Sequence, residues 1–193
     1  MKLSEKFEEA LIYATRAHEN QMRKKTRIPY IAHILGVTAI ALEYGANETE
    51  AIAALLHDTV EDCGGAERLR DIREKFGDDV ARIVDGCTDT YETPKPRWLE
   101  RKRSYIEHLK DSDSSTRLVS ASDKLHNTRA ILAELRRHGL EVFERFAGKK
   151  DGTLWYYRTL VIAFCQQGDH ADLIDELDRV VSETETLVSE CTS

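Results

Sequence analysis

No apolar run in the sequence reaches the length needed to cross a bilayer, which excludes a helical membrane protein. Cysteine is sparse and scattered. Cys63, Cys87, Cys165 and Cys191 form no C-x-x-C pair, so neither a disulfide framework nor a zinc ribbon is expected, and reduced thiols are. Positive charge is not in excess: 28 Lys and Arg stand against 35 Asp and Glu. The resulting −7 argues against general nucleic-acid binding. It leaves room for a small anionic ligand, because basic residues can be concentrated locally. Strand alternation, a fixed-period repeat and a dividing linker are all missing. Met1-Lys2-Leu3-Ser4-Glu5-Lys6 leads straight into an amphipathic pattern, unlike a secretory leader. With 41% apolar and 33% charged residues, the composition is that of a soluble, helix-rich globular protein, expected to be cytoplasmic. The length of 193 residues suits one domain with an ample core.

Helical signals fill the chain. Phe7, Leu11, Ala14 and His18 recur at helical spacing and predict a helix from about Ser4 to Gln21. Met22-Arg23-Lys24-Lys25-Thr26-Arg27-Ile28-Pro29-Tyr30 is basic and broken by proline, hence a loop. It is either a solvated charge run or an anion site. A second helix runs from about Ile31 to Tyr44 and stops at Gly45. Asn47 with Glu50 predicts a capping box opening a third, which continues to Gly64-Gly65. Arg68–Phe76 reads as a short helix closed by Gly77, and Asp78 or Asp79 as the cap of the next. Thr88–Pro96 reads as an irregular loop and Trp98–Leu109 as helix. A polar turn at Asp111–Ser115 precedes a long helix from about Thr116 to Arg137. Segments near Glu141–Phe146, at Thr153–Gln167 and after Asp169 to about Val188 complete an all-α domain of about eight or nine helices spanning residues 1–193.

The chemistry gathers at Ala53-Ala54-Leu55-Leu56-His57-Asp58-Thr59-Val60-Glu61-Asp62. On a regular helix His57 and Glu61 share a strip, and so do Asp58 and Asp62. An imidazole and three carboxylates beside an apolar run are costly, and a metal ion is the most economical reason for them. His33 and Asp123 are the other candidate ligands; each alone is more simply a surface or hydrogen-bonded residue. Two imidazoles with two carboxylates suit a borderline divalent ion such as Mn²⁺, Fe²⁺ or Zn²⁺.

His33…His57-Asp58…Asp123 resembles the H…HD…D signature of the HD phosphohydrolase superfamily. Arg23-Lys24, then Pro29-Tyr30-Ile31-Ala32-His33, the stretch above and Ser122-Asp123-Lys124-Leu125-His126-Asn127 resemble the alarmone hydrolases. These comprise the small stand-alone enzymes and the hydrolase domains of Rel/Spo proteins, and the resemblance covers roughly residues 5 to 165. It implies an all-helical fold and Mn²⁺-dependent hydrolysis of the 3′-pyrophosphate of (p)ppGpp to GDP or GTP and pyrophosphate. It further implies that His33, His57, Asp58 and Asp123 hold the metal and that Glu61-Asp62 position and activate the attacking water. Arg23, Lys24 and Asn127 would contact the nucleotide. Lys102, with Arg101, is placed near the phosphates, against a plain reading as a solvated helix face. Tyr156 is a lining residue that would otherwise be core.

Two departures bear on nucleotide choice. The loop between Lys24 and Pro29 is about one residue longer than in many relatives, and Ala130 stands where many have a small hydroxyl residue. No synthetase region is expected. The alternatives are an HD phosphatase for NADPH or another phosphorylated nucleotide, and a non-catalytic nucleotide-binding regulatory module. The expected partner is a small-molecule nucleotide, with no nucleic acid and no membrane; the oligomeric state stays open.

Overall fold

The computed structural model describes residues 2–92 and 94–192. Among them the regular structure is ten α-helices and one 3-10 segment. In order they are α1 (Glu5–Ala17), α2 (Ile31–Glu43), α3 (Glu48–Leu56), α4 (Thr59–Cys63), α5 (Gly65–Phe76) and α6 (Asp78–Cys87). Then come α7 (Trp98–Asp111), α8 (Ser114–His138), the 3-10 segment (Gly139–Arg145), α9 (Lys149–Gln167) and α10 (Ala171–Thr192). The all-α expectation holds; among the described residues the only strand-like pairing is an isolated bridge between Met22 and Pro29. None of the described helices is long and apolar enough to cross a membrane.

Local chemistry sets the helix ends. Ser4 accepts from the Lys6 N–H, and Asp113 from the Thr116 N–H, each supplying a partner that the helix start lacks. Asn47 and Glu50 form the expected capping box. α8 lies at the centre. It packs on α2, α3, α6 and α10. Ile34, Val37, Ala53, Leu56, Val119 and Leu125 are buried where α2, α3 and α8 meet in the main core. Ile131, Leu135, Val142, Phe143 and Val188 form a smaller core under the 3-10 segment.

Several boundaries differ from expectation. α1 ends at Ala17 because residues 18–21 turn, with the Gln21 N–H bonded to His18 O at 3.0 Å. The third helix is interrupted after Leu56. There His57 Nδ1 donates to Ala54 O at 2.8 Å and the Thr59 hydroxyl to Leu56 O at 2.6 Å. Side chains thus compete for carbonyls that a continuing helix would use. Gly77, with φ 97°, starts α6; Asp78 and Asp79 sit in its first turn and cap nothing. The turn before α8 shrinks to Ser112–Asp113, and the segment near Glu141 is 3-10. α9 starts four residues before Thr153, and α10 reaches Thr192. Thr88–Pro96 contains no helix, although Thr93 lies outside the described residues. The cysteines are unpaired, as expected.

Glu176 ties α10 to α8. Its carboxylate accepts from Arg179 at 2.7 Å and from Arg129 at 2.9 Å. Arg179, aided by Arg129 and opposed by partial burial, draws it down to about 2. A depressed carboxylate contributes stability that is present above its unfolded pKa, roughly 4.3, and lost as pH falls through the folded value. Glu176→Gln should therefore cost at most about 1 kcal/mol at pH 7, after screening, and only a small fraction of that near pH 2, where the carboxylate is already half protonated. Urea unfolding of both proteins at the two pH values checks this.

Candidate metal centre and adjoining cleft

Four side chains from distant points in the sequence converge. His33 stands in the first turn of α2, His57 and Asp58 at the α3–α4 break, and Asp123 midway along α8. His33 Nε2 lies 3.3 Å from Asp58 Oδ2 and 3.2 Å from Asp123 Oδ1. His57 Nε2 lies 3.1 and 3.8 Å from the same two oxygens. Donors bound to one ion at about 2.0–2.2 Å sit roughly 3 Å or slightly more apart, so the spacing fits a shared cation. Donor atoms of His33, His57 and Asp58 all lie within 4.8 Å of one another and could hold one.

The hydrogen bonds orient the imidazoles for that role. His57 gives its Nδ1 proton to Ala54 O, leaving Nε2 with a lone pair. That Nε2 is buried and has no hydrogen-bond partner. A lone pair facing a carboxylate oxygen at 3.1 Å is repulsive, so either a proton or a metal ion must lie between them. His33 Nδ1 meets His126 Nδ1 at 2.9 Å. Burial, then the charge of His33, pushes His126 down to about 4, so it is neutral at pH 7 and can accept. His33 then keeps its Nε2 free for the centre.

The centre attracts positive charge. Burial opposes a charged His57, but Asp58 and then Asp123 outweigh it and push the imidazole up to about 9. Burial would raise Asp58, yet His57 and His33 hold it well below the usual carboxylate range. Asp123 is likewise lowered against burial, chiefly by Lys124, whose ammonium lies 2.6 Å away.

A cleft of about 230 Å³ opens beside the four groups. Asp58, Glu61, Asp123, Lys102, Asn127 and Tyr156 are among the residues that line it. Tyr156 serves as core and lining together, being only 5% exposed. Lys102 Nζ lies 3.0 Å from Asp89 Oδ2 and 4.9 Å from the Tyr156 ring centre. Burial lowers its pKa against the pull of Asp89. Arg101 pairs with Asp89 but does not line the cleft. A second pocket of about 280 Å³ contains Arg23, Lys24 and Ala130 and shares Asn127, Ile131, Phe146 and Tyr157 with the first. Asn127 links the two: it donates to Asp123 Oδ1 at 2.5 Å and accepts from Arg23 at 2.9 Å. A larger hollow of about 850 Å³ on the α1–α5 side includes none of the expected site residues.

Glu61 and Asp62 part company. Glu61 faces the cleft, with Lys95 at 2.7 Å and the Asp89 N–H at 3.3 Å. Asp62 lines a separate surface depression, and its Oδ2 accepts from Gln21 at 2.7 Å. Burial, then the Asp58 charge, raises its pKa. A regular helix would have aimed both carboxylates at one face; the interruption after Leu56 removes that regularity.

A family model described as HD domain matches residues 10–153. The chain belongs to the HD-domain family. Among its relatives in that family are proteins named guanosine-3′,5′-bis(diphosphate) 3′-pyrophosphohydrolase MESH1. The one from Xenopus tropicalis is 42% identical over 126 residues, which is 64% of this chain and 68% of that protein. The Homo sapiens protein is 42% identical over 127 residues, again 64% and 68%. A GTP pyrophosphokinase of Streptomyces coelicolor is 32% identical over 187 residues, covering 91% of this chain and 21% of that longer protein. The fold matches a solved structure described as a metazoan ortholog of SpoT that hydrolyses ppGpp. The TM-score is 0.77, with 29% identity and coverage of 95% of this chain and 98% of the other.

In this HD domain several contributors carried no role in the sequence reading. Tyr30 donates to Asp58 Oδ2 at 2.6 Å. His126, Lys124 and Gln21 hold His33, Asp123 and Asp62. Tyr30, Lys124 and His126 lie inside the quoted motifs, so adjacency was the available signal. Gly36 had none. A Cβ there would come within 2.3 Å of the His126 ring. Gly36→Ala should displace His126, loosen His33 and weaken divalent-ion binding about 10- to 100-fold. A metal titration of the variant checks this.

Proposed function

We propose that this HD domain, as one unit spanning residues 1–193, is a Mn²⁺-dependent hydrolase of the 3′-pyrophosphate of (p)ppGpp. The observation that carries this is the meeting of His33, His57, Asp58 and Asp123 at the head of a cleft that Glu61 also faces. The names of the MESH1 relatives support the substrate class. His33 and His57 through Nε2, with Asp58 and Asp123, would hold the ion, and this N/O set suits Mn²⁺ while accepting Fe²⁺ or Zn²⁺. Such an ion, when bound, supplies a Lewis acid for the phosphoryl oxygens and acidifies the attacking water.

The chain's own residues do the rest. Glu61, which faces the cleft, accepts a proton from the water, while Asp62, turned to the Gln21 side of α4, does not reach it. The water oxygen bonds to the first phosphorus of the 3′-pyrophosphate, and the bond from that phosphorus to the ribose 3′ oxygen breaks. The 3′ oxygen takes up a proton, giving GDP or GTP and pyrophosphate. Lys102 and Lys124, both lining the cleft, offset the charge on the phosphoryl oxygens. Arg23, Lys24 and Asn127 hold the nucleotide in the second pocket. We place the protein in the cytoplasm, acting on a small molecule.

Guanosine 3′,5′-bis(diphosphate), NADPH and a 5′-nucleotide, each with Mn²⁺ and product chromatography, form the test panel. The first should turn over fastest; exclusive turnover of NADPH or of the 5′-nucleotide would reject the substrate. Arg23→Ala should raise KM for the nucleotide while leaving metal content intact. An unchanged KM would make the basic loop a solvated surface run.

A further inference from the structure

Within the pocket that holds Arg23 and Lys24, one acid stands among cations. Arg23, Lys24, Arg137 and Arg145 line it, and among the described lining residues Glu134 is the sole carboxylate. The remaining wall is largely apolar, including Ile28, Ala133, Val142, Phe146 and Tyr157. An apolar slot with few polar groups at its edge is the usual form of a base-binding site. It adjoins the metal cleft through Asn127, so a base lying here has its ribose toward the four converging groups.

Asn127, Ile131 and Glu134 follow one another at helical spacing along α8. Ala130, on the same wall, offers no side-chain hydrogen bond. Glu134 is held in place: Arg145 donates to its Oε2 at 2.9 Å, and Arg137 lies 3.6 Å from Oε1. Its side chain stays 28% exposed, so the carboxylate is fixed without being sealed off.

We propose that Glu134 reads the base and makes the site select guanine. This rests on the functional reading above. Guanine carries an N1–H and an N2 amine on one edge, and an ionised carboxylate accepts from both. Adenine puts a lone pair at N1, which a carboxylate repels. Hypoxanthine keeps N1–H and lacks the N2 amine, so it falls between. A site built to bond a substrate N–H discriminates strongly against a base without it, because its polar group is left unpaired. Partial exposure limits the effect to roughly 10- to 100-fold.

Calorimetric binding of GDP, IDP and ADP needs no turnover and separates this inference from the hydrolytic one. The Mn²⁺-loaded protein should prefer GDP over ADP by about 10- to 100-fold, with IDP between. Glu134→Gln replaces one acceptor with a donor while preserving shape, and should bring GDP and ADP within about threefold of each other. Equal affinities in the unaltered protein, binding of neither nucleotide, or a full GDP preference surviving in Glu134→Gln would overturn the proposal. A GDP preference without hydrolysis of the bis(diphosphate) would uphold the base reading and reject the hydrolase.

Discussion

Asp58→Ala is expected to empty the metal centre and reduce turnover by roughly 10³-fold or more while the helical content stays intact. Asp58 Oδ2 is the point where three groups meet: His33 at 3.3 Å, His57 at 3.1 Å and the Tyr30 hydroxyl at 2.6 Å. Removing it leaves two imidazole nitrogens and one carboxylate, which bind a divalent ion far less tightly. The fold should survive because the surrounding core, Leu55, Leu56 and Val60, is fully buried and does not depend on the carboxylate. Relief of repulsion should also let Asp62 ionise at lower pH, since Asp58 helps raise its pKa. Metal analysis by atomic absorption, circular dichroism and a turnover assay on one preparation check the three parts. Full activity in a metal-free variant would remove the metal from the mechanism.

Glu61→Gln is the second large effect. Glu61 faces the cleft that Asp58 and Asp123 also line, and its carboxylate is paired with Lys95 at 2.7 Å. Glutamine keeps the shape and the acceptor for the Asp89 N–H, and discards the proton acceptor. kcat should fall roughly 10²- to 10⁴-fold, the usual size of a general-base contribution. Metal content and nucleotide affinity should change little. Asp62→Asn is the companion control, because Asp62 lies on the Gln21 side of α4. Loss of metal in Glu61→Gln would make Glu61 a ligand. Near-normal turnover in Glu61→Gln would withdraw Glu61 from the chemistry.

His57-Asp58 was legible as a candidate donor pair because it is chemically incongruous, ending an apolar run of Ala and Leu where such groups need a partner; His33 and Asp123, ordinary when taken alone, were picked out by the resemblance to the H…HD…D signature. The helices were legible from periodicity and stop signals, as with the Asn47–Glu50 box. The break after Leu56 was not, since it depends on the His57 and Thr59 side chains choosing backbone carbonyls over solvent. That choice decides which way Glu61 and Asp62 point. His126 and Gly36 were hidden for a different reason. His33 and His126 are 93 residues apart, and only the packing of α2 on α8 gives either meaning to the other. In the sequence Glu134 is one charge among many on a long helix. Its place in a pocket depends on Arg145 and Val142 of the 3-10 segment and on Phe146, the residue after it.

The most direct test of the central claim is ³¹P NMR of the Mn²⁺-loaded protein acting on guanosine 3′,5′-bis(diphosphate). The account predicts stoichiometric GDP and pyrophosphate, with turnover abolished by chelation and restored by added Mn²⁺. Release of orthophosphate, or an undiminished rate after chelation, would contradict it.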